Sequence, residues 1–167
     1  MNALGVGLQK RIGVLIKLIM ENLSETLKHQ AESLHACKKG LRNFPETEQG
    51  MIERWKENLD FAIENNFPSV EVIRDDFDRS LLHENLIFVD EHLNIDDAPN
   101  GVYVLNGECT GTLHFRKWAA ATVYVRHTSK VSIIAEDFAK VFVRVYDEAE
   151  ADVCEFGDAV VKVYARH

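Results

Sequence analysis

The sequence predicts an α+β protein, with N-terminal helices followed by a C-terminal β-solenoid-like ten-residue repeat. Apolar residues recur at three- and four-residue steps in three stretches between residues 8 and 78, which is the period of a helix. From residue 109 onwards, small and apolar residues recur every ten positions and alternate within each ten. The three prolines, at positions 45, 68 and 99, all precede this repeat, as a hydrogen-bonded ladder requires.

The first predicted element is a long amphipathic helix within residues 1–43. Residues 8–39 carry one apolar stripe, and Gly40 followed by Pro45 provides the signal for its end. The stripe consists of Ile12, Ile16, Ile19, Leu23, Leu27, Ala31 and Leu34. Between residues 12 and 20 the apolar surface extends almost all the way round. A helix of this kind is normally buried, either in its own protein or against another copy.

Residues 44–98 are predicted to be an acidic helical region. A second helix is indicated by one apolar face, formed by Ile52, Trp55, Leu59, Ala62 and Ile63. Ser69 is a typical N-cap, so a third helix is predicted from there to about residue 78 or beyond. The stretch LIFVDEHLNI is the first candidate for extended structure. The turn signal DDAPNG at 96–101 then marks the beginning of a β-repeat module over residues 99–167.

The ten-residue repeat appears as columns of equivalent residues. The most uniform column is Leu113, Val123, Ile133, Val143, Val153 and Val163. The ten-residue repeats end mostly in turn-forming residues: Gly107, Lys117, His127, Asp137, Asp147, Gly157 and His167. Within each ten the odd positions are small and apolar, whereas the even positions are mixed. This alternation predicts strands with one buried face.

Two architectures fit the repeat, a β-solenoid and an antiparallel meander packed on the helices. In a hairpin with a two-residue loop, paired residues differ by an odd number, so inward valines would face lysines or arginines. Stacking each residue on the one twenty positions later keeps all small apolar residues on one face. The small interior also suits a thin solenoid. The pattern therefore favours the solenoid and leaves the meander as the alternative.

Two stretches resemble uncharacterised proteins of gut bacteria and their phages. The alternation AKVFVRVYDEAEADV is similar to the A-x-V-x-V units that such proteins repeat in their C-terminal halves. The stretch NLDFAIENNFPSVEVIRDDF is similar to the helical part that precedes those repeats. The resemblance covers about two-thirds of the chain and excludes the first helix. It implies helices followed by β-repeats, and it implies no activity or functional residue.

Charge is distributed unevenly along the chain, whose net charge is −8. Residues 1–43 have a balance of +4, residues 44–98 a balance of −11, and residues 99–167 are nearly neutral. An acidic middle repels phosphate backbones, so we expect no nucleic acid as a partner. The three cysteines are scattered and form no CxxC pair, which is typical of reduced thiols. Because no secretory cleavage signal follows the first apolar run, we expect a cytoplasmic protein.

Tyrosines and arginines alternate at the even positions of the repeat, which we expect to face outwards. With residues stacked twenty apart, they form two columns: Tyr124, Arg144 and Tyr164, then Arg126, Tyr146 and Arg166. Cation–π pairs between such side chains contribute about 0.5–1 kcal/mol each at exposed sites. Tyr and Arg are also enriched in protein interfaces. These six residues are therefore the predicted binding surface, and a ladder that only supports itself is the alternative.

Motifs for catalysis or cofactors are not evident. His127, Asp147 and His167 would stack at one corner of a solenoid and form a weak candidate for a transition-metal site. Asp and His at such positions more often only cap turns, so we expect neither a metal nor a cofactor. The sequence has no nucleophile elbow, phosphate-binding glycine loop or HExxH motif. We therefore expect no enzymatic activity.

These features predict a non-enzymatic binding or scaffold protein that forms a homo-oligomer and has a possible protein partner. The apolar first helix would mediate self-association, and a second copy would close the solenoid end that follows the last strand. An alternative function is an acidic protein inhibitor or nucleic-acid mimic acting through residues 44–98. A further alternative is membrane-surface attachment through residues 8–27, where Lys10, Arg11 and Lys17 would meet anionic lipid.

Overall fold

The computed structural model describes residues 3–166, with side chains for residues 12–166. The chain divides into two compact units, Met1–Asp78 and Arg79–His167, which we call the helical unit and the solenoid unit. The helices of the helical unit are α1 (Ala3–Ser33), α2 (Lys38–Leu41), α3 (Glu48–Glu57), α4 (Leu59–Glu64) and α5 (Val70–Asp76). None of the helices within the described residues combines the length and the apolar character that crossing a bilayer demands.

The first helix ends earlier than its apolar pattern predicts. After Ser33 the backbone turns through His35, whose φ of 63° is left-handed. The amide of His35 donates to the carbonyl of Glu32 at 3.0 Å, and the amide of Ala36 donates to that of Ala31 at 2.9 Å. These two bonds form a Schellman motif, which satisfies carbonyl groups at the end of a helix. Helix α1 therefore ends before Gly40, and Gly40 itself lies inside the short helix α2.

The second predicted helix is divided into two. Asn58 lies between α3 and α4 with φ −123° and ψ 36°, outside the helical region. The predicted N-cap of the third helix is confirmed, because the Ser69 hydroxyl accepts a hydrogen bond from the amide of Val72 at 3.5 Å. The buried apolar residues of the helical unit are Leu27, Ala31, Met51, Ile52, Trp55, Ala62, Ile73 and Phe77. They come from α1, α3, α4 and α5 and from Phe77, which follows α5.

The solenoid unit confirms the predicted α+β class and the solenoid architecture. In its described part, up to residue 166, it begins with α6 (Arg79–Glu84) and continues with nine strands. These are β1 (Ile87–Val89), β2 (His92–Ile95), β3 (Gly101–Asn106), β4 (Thr110–Phe115), β5 (Ala120–Val125), β6 (Lys130–Ala135), β7 (Lys140–Tyr146), β8 (Glu150–Glu155) and β9 (Val160–Arg166). Sheet A has the order β1-β3-β5-β7-β9 and sheet B the order β2-β4-β6-β8, with parallel pairing throughout. The antiparallel meander is thereby excluded.

Residues twenty positions apart pair from β3 onwards. Tyr103 pairs with Val123, and Val123 pairs with Val143. The first coil is shorter: Ile87 pairs with Val104, and His92 pairs with Thr110, offsets of 17 and 18 residues. The solenoid has about four turns. Its first two strands, β1 and β2, lie within residues 44–98, the region predicted to be acidic and helical.

The corners between strands are formed by residues at the end of each ten-residue repeat, whose backbone is in the left-handed conformation. Asp97, Gly107, Lys117, His127, Asp137, Asp147 and Gly157 all have φ between 55° and 71°. For a residue with a Cβ this conformation costs roughly 1–2 kcal/mol. Hydrogen bonds offset part of that cost: Asp137 accepts from the amide of Lys117 at 2.9 Å, and Asp147 from the amide of His127 at 3.0 Å. The turn formers seen in the sequence are therefore corner residues that also bind the preceding coil.

The solenoid core becomes thinner along the chain. In the first coils Phe88, Tyr103 and Phe115 fill it, with the ring centroids of Tyr103 and Phe115 5.4 Å apart. The Tyr103 hydroxyl donates to the carbonyl of Pro99 at 2.6 Å, and burial raises the pKa of Tyr103 to about 12. Later coils hold valine, isoleucine and alanine. In β9, the outermost strand of sheet A, the inward Val163 is exposed.

Candidate binding surfaces

The most apolar exposed surface of the described chain is the α1 apolar segment, residues 12–19. Its six large apolar side chains are between 48% and 70% exposed. They are Ile12, Val14, Leu15, Ile16, Leu18 and Ile19. Soluble proteins rarely expose contiguous apolar patches of this kind unless the patch is an interaction site. The helix that the sequence predicted to be buried is therefore uncovered in a single copy.

The exposed side chains lie on more than one side of the helix. Ile12, Leu15, Ile16 and Ile19 follow the spacing i, i+3, i+4, i+7 of one face, whereas Val14 and Leu18 form a second stripe. Charge is balanced locally, because the ammonium of Lys17 lies 3.6 Å from the carboxylate of Glu21. The α1 apolar segment thus offers two apolar stripes and little net charge.

The predicted Tyr/Arg surface lies on the outward face of sheet A, but only part of it is accessible. Tyr124 pairs in register with Arg144, and Arg144 with Tyr164, so the first predicted column is stacked as expected. Tyr124 is 8% exposed and Arg126 only 1% exposed, so neither presents its side chain to solvent. Arg144 and Tyr146 are half-buried, and Tyr164 and Arg166 are exposed. Four of the six predicted residues are thus accessible, and the exposed Phe142 of β7, which was not predicted, lies on the same face. We call this surface the β7–β9 face: Phe142, Arg144, Tyr146, Tyr164 and Arg166.

Side chains of these columns contact those of neighbouring coils. The guanidinium of Arg144 lies 5.4 Å from the ring centroid of Tyr124, within cation–π range. The rings of Tyr124 and Tyr146 are nearly parallel, with centroids 6.3 Å apart. Buried Arg126 donates to the side-chain oxygen of Asn106 at 3.1 Å. Burial lowers the pKa of Arg126, while nearby Asp147 and Tyr146 raise it.

Ion pairs join successive coils at the ends of the sheet B strands. Lys130 and Glu150 pair at 2.7 Å, and Arg116 lies 3.0 Å from Asp96 and 3.4 Å from Glu136. Exposed ion pairs of this kind contribute roughly 0–1 kcal/mol each. They offer little affinity for a partner.

A stacked aromatic pair at one corner was not singled out from the sequence. Trp118 and Phe138 are both exposed, and their rings stack with centroids 4.3 Å apart and an angle of 10° between planes. Their spacing of twenty residues is the signal that identifies the pair, since equivalent corner positions of neighbouring coils lie on top of one another. The pair adds an exposed apolar surface to the solenoid unit.

The residues of the metal candidate have structural roles at a corner. His127 Nδ1 accepts a hydrogen bond from the amide of Gly107 at 3.0 Å, and Asp147 accepts one from the amide of His127. The third candidate, His167, lies outside the described residues. Among the residues that the structure describes, no group of three or more His, Cys, Asp or Glu is arranged to hold a metal ion.

The acidic region predicted as the alternative site crosses the boundary between the two units at 78/79. Asp75, Asp76 and Asp78 are exposed around the end of α5. Asp75 lies 3.0 Å from the guanidinium of Arg74, so part of this charge is compensated. The backbone amide of Asp78 donates to the carboxylate of Glu48. The inhibitor or mimic hypothesis thus has exposed carboxylates and stays a prediction.

Comparisons with protein-family models, with curated proteins and with solved structures find no match to this chain.

Proposed function

We propose that the protein is a non-enzymatic scaffold that self-associates through the α1 apolar segment and thereby presents several copies of the β7–β9 face to a protein partner. The observation that carries the proposal is the exposure of six large apolar side chains within residues 12–19. The solenoid supports it, because parallel ladders with twenty-residue coils give a rigid surface without a large core.

The energetics favour association. Fully burying a large aliphatic side chain contributes about 1.5–3 kcal/mol. Burying the parts of the six side chains that are still exposed would therefore contribute several kcal/mol of association free energy per copy. Association of proteins costs an estimated 4–15 kcal/mol in lost freedom. A single pair of helices would cover only one of the two stripes. Burying both stripes requires at least two neighbouring helices, which favours a bundle of three or more copies.

A second copy of this chain is the partner that best fits the α1 apolar segment. The one charged residue of the segment, Lys17, lies 3.6 Å from Glu21 of the same helix, so the segment has no cluster of charges that would select an oppositely charged protein. An apolar, nearly neutral surface is complementary to itself, and homo-oligomers place the same patch of each copy at the interface. Membrane-surface attachment through residues 8–27 is the competing use of this surface.

The β7–β9 face is the part of the proposed scaffold that would bind another protein. Tyr and Arg are enriched at the energetic centres of interfaces. Phe142 and Tyr164 are exposed there, and Tyr164 pairs in register with Arg144, whereas Phe142 pairs with Lys162. A bundle of α1 helices would multiply this face, and several weak contacts made at once raise the overall affinity without any new contact.

The double substitution Leu15→Glu/Ile19→Glu tests the self-association. Both side chains are exposed in the single copy, so the fold should tolerate the change while the bundle should not, because glutamates would be buried there. In light scattering on a sizing column, we expect the wild type to be an oligomer and the variant a monomer. The matched control is Thr26→Glu/Gln30→Glu, which adds the same charges at the same spacing to exposed positions of α1; it should remain oligomeric.

Two results would contradict the proposal. A monomeric wild type at every concentration would remove self-association altogether. If the variant forms an oligomer of the same mass as the wild type, the interface between copies lies outside the α1 apolar segment. Flotation of the wild type with acidic liposomes, lost in the Leu15→Glu/Ile19→Glu variant, would assign the segment to a lipid surface instead.

A further inference from the structure

The solenoid core is uncovered at the edge formed by β8 and β9. These are the outermost strands of sheets B and A within the described residues. In the preceding coil, Ile133 and Val143 are completely buried. The next residues of the same inward column are not: Val153 of β8 is only partly buried, and Val163 of β9 is 48% exposed. This edge therefore presents apolar core side chains to solvent, and ends of repeat structures normally have such surfaces covered.

The backbone of both strands is oriented to pair with one more strand. The amide of Glu150 donates to the carbonyl of Ser129 at 2.9 Å, and the amide of Val160 donates to that of Ala139 at 2.9 Å. Even-numbered residues of β8 and β9 thus point their backbone groups towards the preceding coil. Because these groups alternate in direction along a strand, those of the odd-numbered residues point away from it. An edge of this kind is a template for pairing with another chain.

The two strands carry opposite charges at their outward positions. Glu150 and Asp152 lie at even positions of β8, whereas Lys162 and Arg166 lie at even positions of β9, and all four are exposed. Like charges that lie opposite each other on neighbouring strands are destabilising, and opposite charges are stabilising. Each strand would therefore repel another copy of itself and attract a copy of the other. A second copy of this chain supplies both, so it is the occupant that fits this edge.

A two-fold axis parallel to the strands brings the two edges together. Consecutive strands belong alternately to sheets B and A, and pairing within each sheet is parallel, so β8 and β9 run in opposite directions. Sheet A extends half a coil beyond sheet B at this edge, because β9 follows β8. Rotation about the axis places the protruding β9 of one copy beside the recessed β8 of the other, in antiparallel orientation. Both sheets then continue from one copy into the next.

We propose that the β8–β9 edge of one copy pairs with the same edge of a second copy, with β9 antiparallel to β8 of the partner copy and Val163 opposite Val153. This register keeps the odd-numbered side chains on the core side and lets their outward backbone groups bond across the contact. It also places Arg166 opposite Glu150. Apolar side chains thus meet inside, and opposite charges meet outside. The contact involves a different surface from the α1 apolar segment and does not depend on it.

The contact is expected to be weak for a single pair of copies. The copies meet through strand edges and a few apolar side chains, and interfaces below about 1,200 Å² belong to weak or transient complexes. We expect a Kd of about 0.1 mM. A copy that lacks the α1 contact is therefore a monomer at the micromolar concentrations of a sizing column and dimerises at higher concentration.

A disulfide between copies tests the partner and the register together. In the proposed register Lys162 lies opposite the native, exposed Cys154 of the partner copy. The two form a non-hydrogen-bonded pair, whose Cα atoms are about 4.5 Å apart, within the range of a disulfide. In one chain these residues lie on the outward faces of different sheets and cannot meet. A disulfide between positions 154 and 162 therefore reports a contact between copies.

The experiment uses the full chain with Lys162→Cys. Cys37→Ser removes the other exposed thiol and keeps an N-cap oxygen for α2. Leu15→Glu/Ile19→Glu is also present, so that no dimer forms through the α1 apolar segment. The protein is oxidised at about 0.3 mM, above the expected Kd, and the linked peptides are identified by mass spectrometry. We expect a covalent dimer that joins Cys154 of one copy to position 162 of the other.

Two matched variants place the new cysteine elsewhere on the outward face of sheet A. Phe142→Cys lies one coil earlier, in register with Lys162. Its distance from Cys154 of the partner copy would be two strand spacings, about 10 Å, which is too far for a disulfide. Val160→Cys would lie opposite Cys154 only if the register slipped by two residues. We expect neither variant to form the disulfide with Cys154.

Charge reversal provides a second readout that needs no cysteine. In the Leu15→Glu/Ile19→Glu background, Arg166→Glu and Glu150→Arg are each expected to weaken dimerisation about tenfold, because each places like charges at both symmetric contacts. The two changes together restore opposite charges and should restore the Kd. Sedimentation equilibrium up to about 1 mM measures these constants, since that range brackets the expected Kd.

Three results would overturn the inference. The absence of a disulfide between positions 154 and 162 at about 0.3 mM would exclude the end-to-end contact. Equal cross-linking by Val160→Cys or Phe142→Cys would exclude the register. A doubly reversed variant that dimerises no better than the two single ones would exclude the pairing of Arg166 with Glu150. Because all variants lack the α1 contact, this inference and the proposed self-association can fail separately.

Discussion

Replacing Val143 with aspartate is expected to unfold the solenoid unit. Val143 is completely buried in the core, stacked between Val123 and Val163 in sheet A. The substitution removes about 1.5–3 kcal/mol of apolar burial. It also places a carboxylate without a partner in the interior, at a further cost of several kcal/mol. The combined loss is comparable to the whole stability of a small domain, about 5–15 kcal/mol. Circular dichroism in a urea titration measures this loss.

The matched control is Phe142→Asp, which puts the same charge one residue earlier on the same strand. Phe142 points to the opposite face of sheet A, where it is 44% exposed. Its aspartate would remain solvated beside Lys162, the in-register neighbour in β9. We expect the free energy of unfolding to change by about 1 kcal/mol or less. Equal effects of the two substitutions would contradict the assignment of odd positions to the core.

The second large effect is expected for Gly111→Ala in β4. Gly111 has φ of 107°, which residues with a Cβ rarely adopt. A Cβ at this position would lie 1.9 Å from the backbone carbonyl oxygen of Leu93, its in-register neighbour in β2. Neither backbone can move without breaking the pairing of the first coils. We therefore expect a loss of at least about 3 kcal/mol in the free energy of unfolding, measured by the same urea titration.

Thr112→Ala is the control for this change, since Thr112 is the next residue of β4 and lies on the outward face of sheet B. Its effect should stay within about 0.5 kcal/mol. A similar small effect of Gly111→Ala would contradict the close approach of β2 and β4 at this point.

The solenoid could be predicted from the sequence because its geometry is repetitive. Parallel stacking at a constant offset brings residues of the same parity and the same column together, so the inward side chains and the corners recur visibly in the sequence. The short first coil does not follow this rule. Asp90 and Glu91 alone connect β1 and β2, and the offsets of 17 and 18 residues carry no periodic signal.

The ends of the helices were less predictable, because they depend on backbone conformations at single residues. The sequence placed the end of the first helix at Gly40, whereas the helix ends before His35, which adopts the left-handed conformation; histidine is one of the few residues with a Cβ that tolerate it well. Asn58 interrupts an apolar face that is continuous in the sequence. In both cases the helical period continues beyond the helix, so periodicity alone cannot locate the break.

The candidate surfaces were predicted in part. The stacking of Tyr124 on Arg144 follows from the repeat. The burial of Tyr124 and Arg126 does not, because an outward position in a strand does not show whether other residues cover the side chain. An apolar cavity of about 270 Å³ in the helical unit, lined in part by Trp55, was not visible either. Trp55 has the helical spacing of a core residue, and the sequence does not show that the core around it leaves a space.

The central claim is that the α1 apolar segment of one copy is covered by the same segment of another copy. A photoreactive benzoylphenylalanine in place of Val14, the most exposed of its six apolar residues, tests this directly. A mixture of isotopically light and heavy protein is irradiated, and the cross-linked peptides are identified by mass spectrometry. The account predicts mixed light–heavy adducts that join residues 12–20 of two copies. Adducts only within one chain, or none, would contradict it.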